Sequence, residues 1–152
     1  MGAPWSTTNR TDPALSGDGR LLASLIDTDG RSQVLLQDQP SGQQRPLRHL
    51  RGQRNVQSPS LSWSGRYLAA LVLQGEQRRV VVEDRLSGHL LQLPLPAGLQ
   101  PERLSLSPDA RRLAVQVRRD GQWQVQLFAL EALLEPDLAG GLRVGDGGAS
   151  VR

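Results

Sequence analysis

The sequence predicts an all-β protein built from three repeated units of about four antiparallel strands each. The first observation is one pattern, a polar turn with an arginine followed by an apolar run, that occurs three times, at residues 16–26, 62–73 and 107–117. The first alanines of the runs, Ala23, Ala69 and Ala114, are 46 and 45 residues apart, a period typical of repeat architectures. The second observation is the short spacing of turn residues between apolar runs, which favours hairpins.

Each unit begins with a short strand, turns through a polar segment and continues into a second strand. This second strand is apolar on both faces, as expected of a strand covered from both sides. A tight turn leads to a third strand, and a Ser-Gly turn leads to a fourth. The predicted strands are 12–16, 21–26, 32–37 and 43–47 in the first unit, 58–62, 67–73, 78–83 and 89–93 in the second, and 102–106, 112–117 and 122–128 in the third.

The third unit departs from this order after its third strand. Residues 129–135 have the sequence Ala-Leu-Glu-Ala-Leu-Leu-Glu and lead to Pro136 without a Ser-Gly turn. This composition predicts a short helix in place of a fourth strand. The expected boundaries are an N-terminal arm at 1–11, a repeat domain at 12–135 with units at 12–56, 57–100 and 101–135, and a flexible tail at 136–152.

The composition excludes several classes of function. The chain has no Cys, so disulfides, thiolate metal sites and cysteine nucleophiles are excluded. Residues 1–12 lack the apolar run of a signal peptide, and no run approaches the roughly 18 apolar residues of a membrane span. The 18 basic residues are all Arg and the formal net charge is +3. Because acidic residues are interspersed, this charge favours an ordinary solvated surface.

No motif indicates catalysis or metal binding. His49 and His89 are the only histidines, and the chain contains neither H-E-x-x-H nor G-x-S-x-G. The segment 27–30, Asp-Thr-Asp-Gly, resembles the start of a calcium loop but lacks the downstream Glu, so it is interpreted as a hairpin turn. We expect a non-catalytic protein without a metal or another cofactor.

Arginines recur in two settings. Arg20, Arg66 and Arg111 repeat at one end of equivalent strands, where each is expected to cap its turn or pair with an acidic neighbour. A second group lies in the connection from the first unit to the second, and it could bind an acidic partner or simply be solvated. The candidate binding residues of this second group are Arg45, Arg48, His49, Arg51 and Arg54.

The turn at residues 107–114, Ser-Pro-Asp-Ala-Arg-Arg-Leu-Ala, resembles the S-P-D-G-R-x-L-A core of the TolB-like (WD40-like, PD40-type) β-propeller repeat. Residues 16–20 and 64–66 match this core in part. Pro13 and Pro59 lie where that family has a proline in the innermost strand. The resemblance covers three consecutive units, and it implies three four-stranded propeller-type blades, a partial propeller or half of a six-bladed ring.

The resemblance also implies a function. TolB-like propellers serve complexes of the bacterial envelope, so a non-catalytic protein-binding or scaffold module in the periplasm or cell envelope is expected, and a cytoplasmic module otherwise. Two alternatives stay open on the residues alone: a propeller-type hydrolase or lyase, and an Arg-rich nucleic-acid-binding module. We expect a protein partner, no nucleic acid and no transmembrane segment.

An open row of three blades leaves an apolar sheet face at each end. A second copy could cover both faces in a homodimer that completes the propeller as a six-bladed ring. In a monomer, the arm around Trp5 and the helix at 129–135 could instead cap the two ends. The sequence leaves both arrangements open.

Overall fold

A computed structural model describes residues 10–138 of the chain. This part contains eleven β-strands and a single 3-10 turn at Leu50–Gly52. Trp5 and the predicted tail after Leu138 lie outside the described residues. The strands are β1 (Arg10–Leu15), β2 (Leu21–Thr28), β3 (Arg31–Asp38), β4 (Gln44–Arg45), β5 (Val56–Leu61), β6 (Tyr67–Gln74), β7 (Gln77–Asp84), β8 (Leu90–Leu93), β9 (Gln100–Leu106), β10 (Arg112–Arg119) and β11 (Gln122–Ala129).

The strands form three antiparallel sheets in chain order. Sheet 1 contains β1 to β4 and sheet 2 contains β5 to β8, in both cases with sequential neighbours paired. Sheet 3 contains β9 to β11, with β10 in its centre. The predicted all-β fold of three antiparallel sheets is therefore confirmed, but sheet 3 has three strands within the described residues and not four.

The central hairpins form because their turn residues accept left-handed backbone angles. Between β2 and β3, Asp29 has φ 53° and Gly30 has φ 74°. Between β10 and β11, Asp120 has φ 49° and Gly121 has φ 77°. Asp, Asn and Gly are favoured in such two-residue turns because positive φ strains most other residues. The Asp-Thr-Asp-Gly segment is thus a hairpin turn, as the sequence indicates.

A second kind of turn explains the repeated polar motif before each apolar run. In sheet 1 the Asp18 carboxylate accepts a hydrogen bond from the Ser16 hydroxyl (2.6 Å) and one from the Arg20 N–H (3.0 Å). In sheet 2 the Ser64 hydroxyl takes the place of this carboxylate and accepts the Arg66 N–H at 3.1 Å. The equivalent residues of the sheet 3 turn are Ser107, Asp109 and Arg111.

The core consists of two apolar layers, one on each side of sheet 2. Strand β6 contributes to both layers because its successive side chains point to opposite faces and both faces are covered. Its residues facing sheet 1 are Leu68, Ala70 and Val72, and those facing sheet 3 are Tyr67, Ala69 and Leu71. The predicted burial of the second strands is confirmed, since Leu25, Leu71 and Val115 are all buried.

The innermost strands β1, β5 and β9 are joined by hydrogen bonds from backbone to side chain. The Ser58 N–H donates to the Asp12 carboxylate (3.0 Å), and the Leu104 N–H donates to the Ser58 hydroxyl (2.9 Å). The Leu106 N–H donates to the Ser60 hydroxyl at 2.9 Å. Each donor lies 46 residues after its acceptor. The sequence period therefore corresponds to the step from one sheet to the next.

Sheet 3 lacks the turn that starts a fourth strand. In sheet 2 this turn depends on Asp84, whose carboxylate accepts the Ser87 hydroxyl (2.7 Å), and on Gly88, which has φ 82°. In sheet 3 Ala129 and Leu133 occupy the positions of Asp84 and Gly88, so the cap and the left-handed residue are both missing. The equivalent turn residues of sheet 1 are Asp38, Ser41 and Gly42.

The predicted helix at 129–135 is wrong. Ala129 is the last residue of β11, and residues 131–134 form a single turn. The N–H groups of Leu133 and Leu134 both donate to the Leu130 carbonyl, each at 2.9 Å. The chain then extends towards sheet 2, where Tyr67 and Ser64 bind it. These contacts favour an extended chain over further helical turns.

The layer between sheets 2 and 3 gives a first testable prediction. Leu71→Ala should lower the free energy of unfolding by about 2–5 kcal/mol, because it removes a fully buried side chain and leaves a cavity. Urea denaturation of the purified chain measures the change. Leu73→Ala on the same strand is the control, since Leu73 is 39% exposed and should change stability little. Equal effects at both positions would contradict the burial of Leu71 between sheets 2 and 3, since Leu73 lies on the same face at the exposed end of the strand.

Candidate functional site

The predicted arginine cluster lies on β4 and on the connection to sheet 2; we call residues 45–54 the arginine loop. Leu47 and Leu50 anchor the loop because both are buried in the layer between sheets 1 and 2. Apart from His49, the charged side chains between and after these anchors are exposed. The exposed arginines of the loop are Arg48, Arg51 and Arg54. The loop therefore presents three guanidinium groups to solvent from an anchored backbone.

A buried carboxylate fixes this backbone. Glu83, at the end of β7, is 1% exposed. Its two carboxylate oxygens accept the N–H groups of Arg48 (2.8 Å), His49 (2.7 Å) and Leu50 (2.8 Å). Three amide donors compensate the negative charge that burial removes from water. Glu83 therefore connects sheet 2 directly to the arginine loop.

Glu83 was not among the residues that the sequence proposed. The sequence feature that could have identified Glu83 is its position directly after three consecutive valines, Val80–Val82. At this end of β7 every residue is buried. A carboxylate on such a strand needs hydrogen-bond partners. Its partners are 33 to 35 residues earlier in the chain, so no local pattern identifies them.

His49 is a structural member of the loop. Its Nε2 lies 2.7 Å from the carbonyl oxygen of Gly88. A carbonyl oxygen can only accept, so Nε2 carries the proton and donates. The ring is half-buried and points towards the turn before β8. Of the five candidate residues, this one is therefore turned away from solvent.

Arg48 packs on the same turn while its side chain remains exposed. A Cβ atom placed on Gly88 would lie 2.3 Å from Nη1 of Arg48. The left-handed φ of 82° at Gly88 is what favours glycine there, since the flexible Arg48 side chain could move aside for a Cβ atom. The guanidinium of Arg48 therefore lies over the Gly88 turn while the residue remains exposed.

Arg45 is placed differently, because it lies on β4 beside Asp38. Its guanidinium is 3.7 Å from the Asp38 carboxylate. The hydrogen bond from the Ser41 hydroxyl, with smaller contributions from the Ser41 amide and Arg45, holds the pKa of Asp38 below its ordinary value against the opposing effect of burial. The five candidate residues therefore include three exposed arginines, one partly paired arginine and one inward histidine.

The repeated arginines do not behave alike. Arg66 is buried, and its Nε and Nη2 donate to the two oxygens of Asp84, both at 3.0 Å. Its Nη2 also lies 3.3 Å from the Glu135 carboxylate. Arg20 is half-buried and Arg111 is exposed. The prediction of pairing with an acidic neighbour is confirmed for Arg66.

Arg66 belongs to a polar network that binds the end of the described chain. The Tyr67 hydroxyl donates to the Glu135 carbonyl (2.6 Å). The Asp137 carboxylate accepts the Ser64 N–H (2.7 Å) and the Ser64 hydroxyl (2.5 Å). These contacts join positions about 70 residues apart, so residues 135–137 lie across the turn of sheet 2.

The network changes the titration of its members. Burial on its own would raise the pKa of Asp84, but hydrogen bonds from Arg66, Ser87 and Leu86 outweigh it and hold the pKa below its ordinary value. Burial, together with the charge of Asp84, raises the pKa of Tyr67 to about 12. Asp84 is thus kept as a carboxylate, which accepts its hydrogen bonds, and Tyr67 is kept as a protonated hydroxyl, which donates to the Glu135 carbonyl. The arrangement is that of a structural tether.

A half-open cleft of about 1050 Å³ lies between the hairpin ends of sheets 2 and 3. Its central carboxylate, Glu102, is 2.6 Å from the Arg78 guanidinium and 3.4 Å from that of Arg118. These two ion pairs compensate the charge of Glu102 within the cleft. Among residues 10–138, no group of three or more His, Asp or Glu side chains could hold a metal ion.

The outer side of sheet 3 exposes large apolar side chains. Trp123, Val125 and Leu127 are 56%, 69% and 67% exposed, and they alternate along β11 on one face. Opposite them on β10 are Ala114 and Gln116, which are half-buried. We call these five residues the open face of sheet 3. The Arg118 guanidinium lies 5.5 Å from the Trp123 ring and borders this face.

The repeat shows what the open face corresponds to. Val125 and Leu127 occupy the positions of Val80 and Val82 in sheet 2, which are 0% exposed because sheet 3 covers them. The corresponding residues of sheet 1 are Val34 and Leu36, which face sheet 2. The open face is therefore the surface that packs against the next sheet in both earlier units.

No known protein-family model and no curated protein sequence matches this chain. Solved structures do. The chain superposes on TolB from Acinetobacter baumannii with a TM-score of 0.63 at 18% identity, covering 79% of this chain and 30% of that chain. It superposes on the β-propeller domain of the trilobed protease from Pyrococcus furiosus with a TM-score of 0.64 at 17% identity, covering 86% and 42%.

The three sheets match part of a β-propeller. A putative TolB from Agrobacterium tumefaciens is similar as well, with a TM-score of 0.61 at 20% identity, covering 88% of this chain and 47% of that chain. The resemblance read from the repeated turn is thus confirmed for the fold, at low sequence identity. The chain spans less than half the length of each of these propeller structures. No helix in the part of the chain described here is long and apolar enough to cross a membrane.

Proposed function

We propose that this chain is a non-catalytic protein-binding or scaffold module of the TolB-like propeller type, and that it binds its partner through the open face of sheet 3. The observation that carries the proposal is the exposure of Trp123, Val125 and Leu127. Exposed apolar patches of this kind mark interaction sites because water contact with them is unfavourable. The equivalent positions of sheets 1 and 2 are buried by another protein layer.

The chemistry of the open face favours a protein surface over a small ligand. The face lies on an extended sheet, and its apolar side chains project from it without a surrounding pocket wall. Aromatic and aliphatic anchors bordered by an arginine, here Arg118, are typical of the centres of protein interfaces. The arginine loop adds exposed positive charge, which would speed the approach of an acidic partner.

We further propose a location in the periplasm or cell envelope of a bacterium. The support is the likeness to two TolB structures, together with the repeated turn that resembles the TolB-like repeat. Fractionation of cells that express the chain from its native gene tests this location. Recovery in the cytoplasmic fraction alone would contradict it.

Affinity capture tests the binding proposal. The immobilised chain is exposed to an envelope extract, captured proteins are identified, and the binding of each purified candidate is measured by calorimetry. Ala114→Arg, in the middle of the open face, should weaken binding at least about tenfold, because a long charged side chain prevents close packing of sheets. Leu15→Arg is the control, since Leu15 is 60% exposed on β1. Equal binding by both variants, or turnover in a hydrolase panel, would contradict the proposal.

Nucleic acid is not the expected partner. We predict no tight complex with labelled single- or double-stranded DNA or RNA at physiological salt, because only three exposed arginines are grouped in the arginine loop. Fluorescence anisotropy over a salt series measures this. A nanomolar complex that weakens steeply with salt and is lost on Arg48→Glu, Arg51→Glu and Arg54→Glu would replace the protein-binding proposal.

A further inference from the structure

Among residues 10–138, strand β11 forms an edge of sheet 3 that no other strand covers. In sheet 2 the corresponding strand β7 pairs with β8 from Val80 to Glu83, and in sheet 1 β3 pairs with β4. Within residues 10–138 β11 pairs with β10 alone. The backbone N–H and C=O groups that point away from β10 are therefore available to another strand.

This edge lacks the features that protect the others. The inner edge strands β1, β5 and β9 each contain a proline and a register shift, and β4 and β8 are two and four residues long. Strand β11 has eight residues, pairs with β10 without a shift, and contains no proline and no charge. Prolines, bulges, charges and short strands are the usual means of preventing pairing between edges. An edge without any of them is suited to pairing.

We propose that β11 pairs antiparallel with β11 of a second copy of this chain, so that two third sheets form one continuous six-stranded sheet. Opposite residues of an antiparallel pair share a face, so apolar residues must meet apolar residues. A two-fold axis at Val125 achieves this. It places Val125 opposite Val125 of the second copy, Trp123 opposite its Leu127, and Gln124 opposite its Gln126.

We infer a second copy as the partner of this edge because the sequence of β11 is complementary to itself, with apolar and polar residues alternating in the way that pairing at this edge requires. The strand is apolar at every second position and uncharged throughout, so no like charges meet across the axis. A two-fold axis pairs both β11 edges at once and leaves no further unprotected edge among the strands that the structure describes, which gives a closed dimer.

A ring-closing dimer is less favoured by the structure of sheet 1. Such a dimer needs the outer face of sheet 1 as its second surface. On that face Ser24 and Leu35 lie opposite one another and are 3% and 4% exposed. The Arg10 guanidinium donates to the Ser24 hydroxyl (2.8 Å) and lies 3.4 Å from the Gln37 amide oxygen. This face is therefore already covered at its centre.

The dimer goes beyond the proposed function, because it uses the edge of sheet 3 and leaves the open face exposed. Pairing joins the open faces of the two copies side by side on one surface. A partner would then meet two adjacent copies of the same apolar patch. Partner binding and dimer formation can be tested separately, because Ala114→Arg changes the open face on β10 and leaves the edge strand β11 intact.

Analytical ultracentrifugation tests the dimer. The 152-residue chain should change reversibly from a mass of 16.6 kDa to twice that value between low and high micromolar concentration. Val125→Glu should weaken association at least about tenfold, because two carboxylates then meet at the axis. Mixing Val125→Glu with Val125→Lys should restore a heterodimer. Leu15→Glu, which changes a similarly exposed residue on β1, should associate like the wild type.

Hydrogen exchange identifies the edge. In the wild type, the outward amides of Gln122–Ala129 should gain protection as the concentration rises, and in Val125→Glu they should not. A wild type that stays monomeric at high concentration overturns the proposal. So does a dimer that gains no protection on β11, because packing between faces would leave those amides unpaired. So does a Val125→Glu variant that associates as the wild type does.

Discussion

Glu83→Ala should be among the most destabilising of the substitutions described here, lowering the free energy of unfolding by about 3–6 kcal/mol. The substitution leaves the N–H groups of Arg48, His49 and Leu50 without their acceptor. A fully buried donor that loses its partner costs about 1–3 kcal/mol, which applies to Leu50, and the part-buried amides of Arg48 and His49 cost less because water can reach them. The arginine loop should also detach locally, which hydrogen exchange at these three amides would detect.

Two variants make this prediction specific. Glu83→Gln keeps the shape and one carbonyl oxygen, so it should cost less than Glu83→Ala while still losing at least one bond. Glu76→Ala is the control for removing a glutamate, because Glu76 lies in the exposed turn between β6 and β7. If Glu83→Ala were as stable as Glu76→Ala in urea, the loop would be held by Leu47 and Leu50 alone.

The fold could be predicted from the sequence because the repeat encodes it locally. Asp29 and Gly30 determine a hairpin turn, and the Ser16 to Arg20 turn closes on its own side chains. The contact between sheets 1 and 2 also follows the repeat, since the Asp12 carboxylate accepts the N–H of Ser58, which lies 46 residues later in the chain. A pattern that recurs every 45 or 46 residues therefore predicts both the sheet and its neighbour.

The end of the third unit was mispredicted because local preference and tertiary contacts disagree there. Glu131 and Ala132 favour helix, but an isolated helix shorter than about 12 residues is marginal in water. The hydrogen bonds that decide the outcome come from Tyr67 and Ser64, in another unit. The composition of residues 129–135 does not contain this information.

The candidate site was predictable only in its exposed part. Charged residues in a polar connection predict solvent exposure, which holds for Arg48, Arg51 and Arg54. The inward position of His49 and the role of Glu83 depend on partners more than 30 residues away. The open face was predicted only in general terms, because an end sheet must expose one side. Its identity follows from Val125, which is exposed at the position equivalent to the buried Val80.

Asp84→Ala should lower the free energy of unfolding by about 3–5 kcal/mol, the usual cost of removing one partner of a buried ion pair. The substitution leaves the Arg66 guanidinium buried without the two hydrogen bonds that Asp84 accepts. It also removes the cap of the turn before β8. Asp38→Ala is a matched control for the cap, because Asp38 caps the same turn in sheet 1 and its arginine is 3.7 Å away and more exposed. The difference between the two variants isolates the buried pair.

The contribution of Asp84 should also depend on pH. Its pKa is lower in the folded protein than its ordinary value of about 3.9, so the folded state favours the charged form. The stability that Asp84 supplies is therefore fully present above this ordinary value and is lost as the pH falls through the lower folded-state pKa. Urea unfolding of the wild type and of Asp84→Asn at several pH values between neutral and acid measures this. The two curves should differ most near neutral pH and converge in acid. A gap that stays constant down to the lowest pH would mean that the charge of Asp84 does not stabilise the fold.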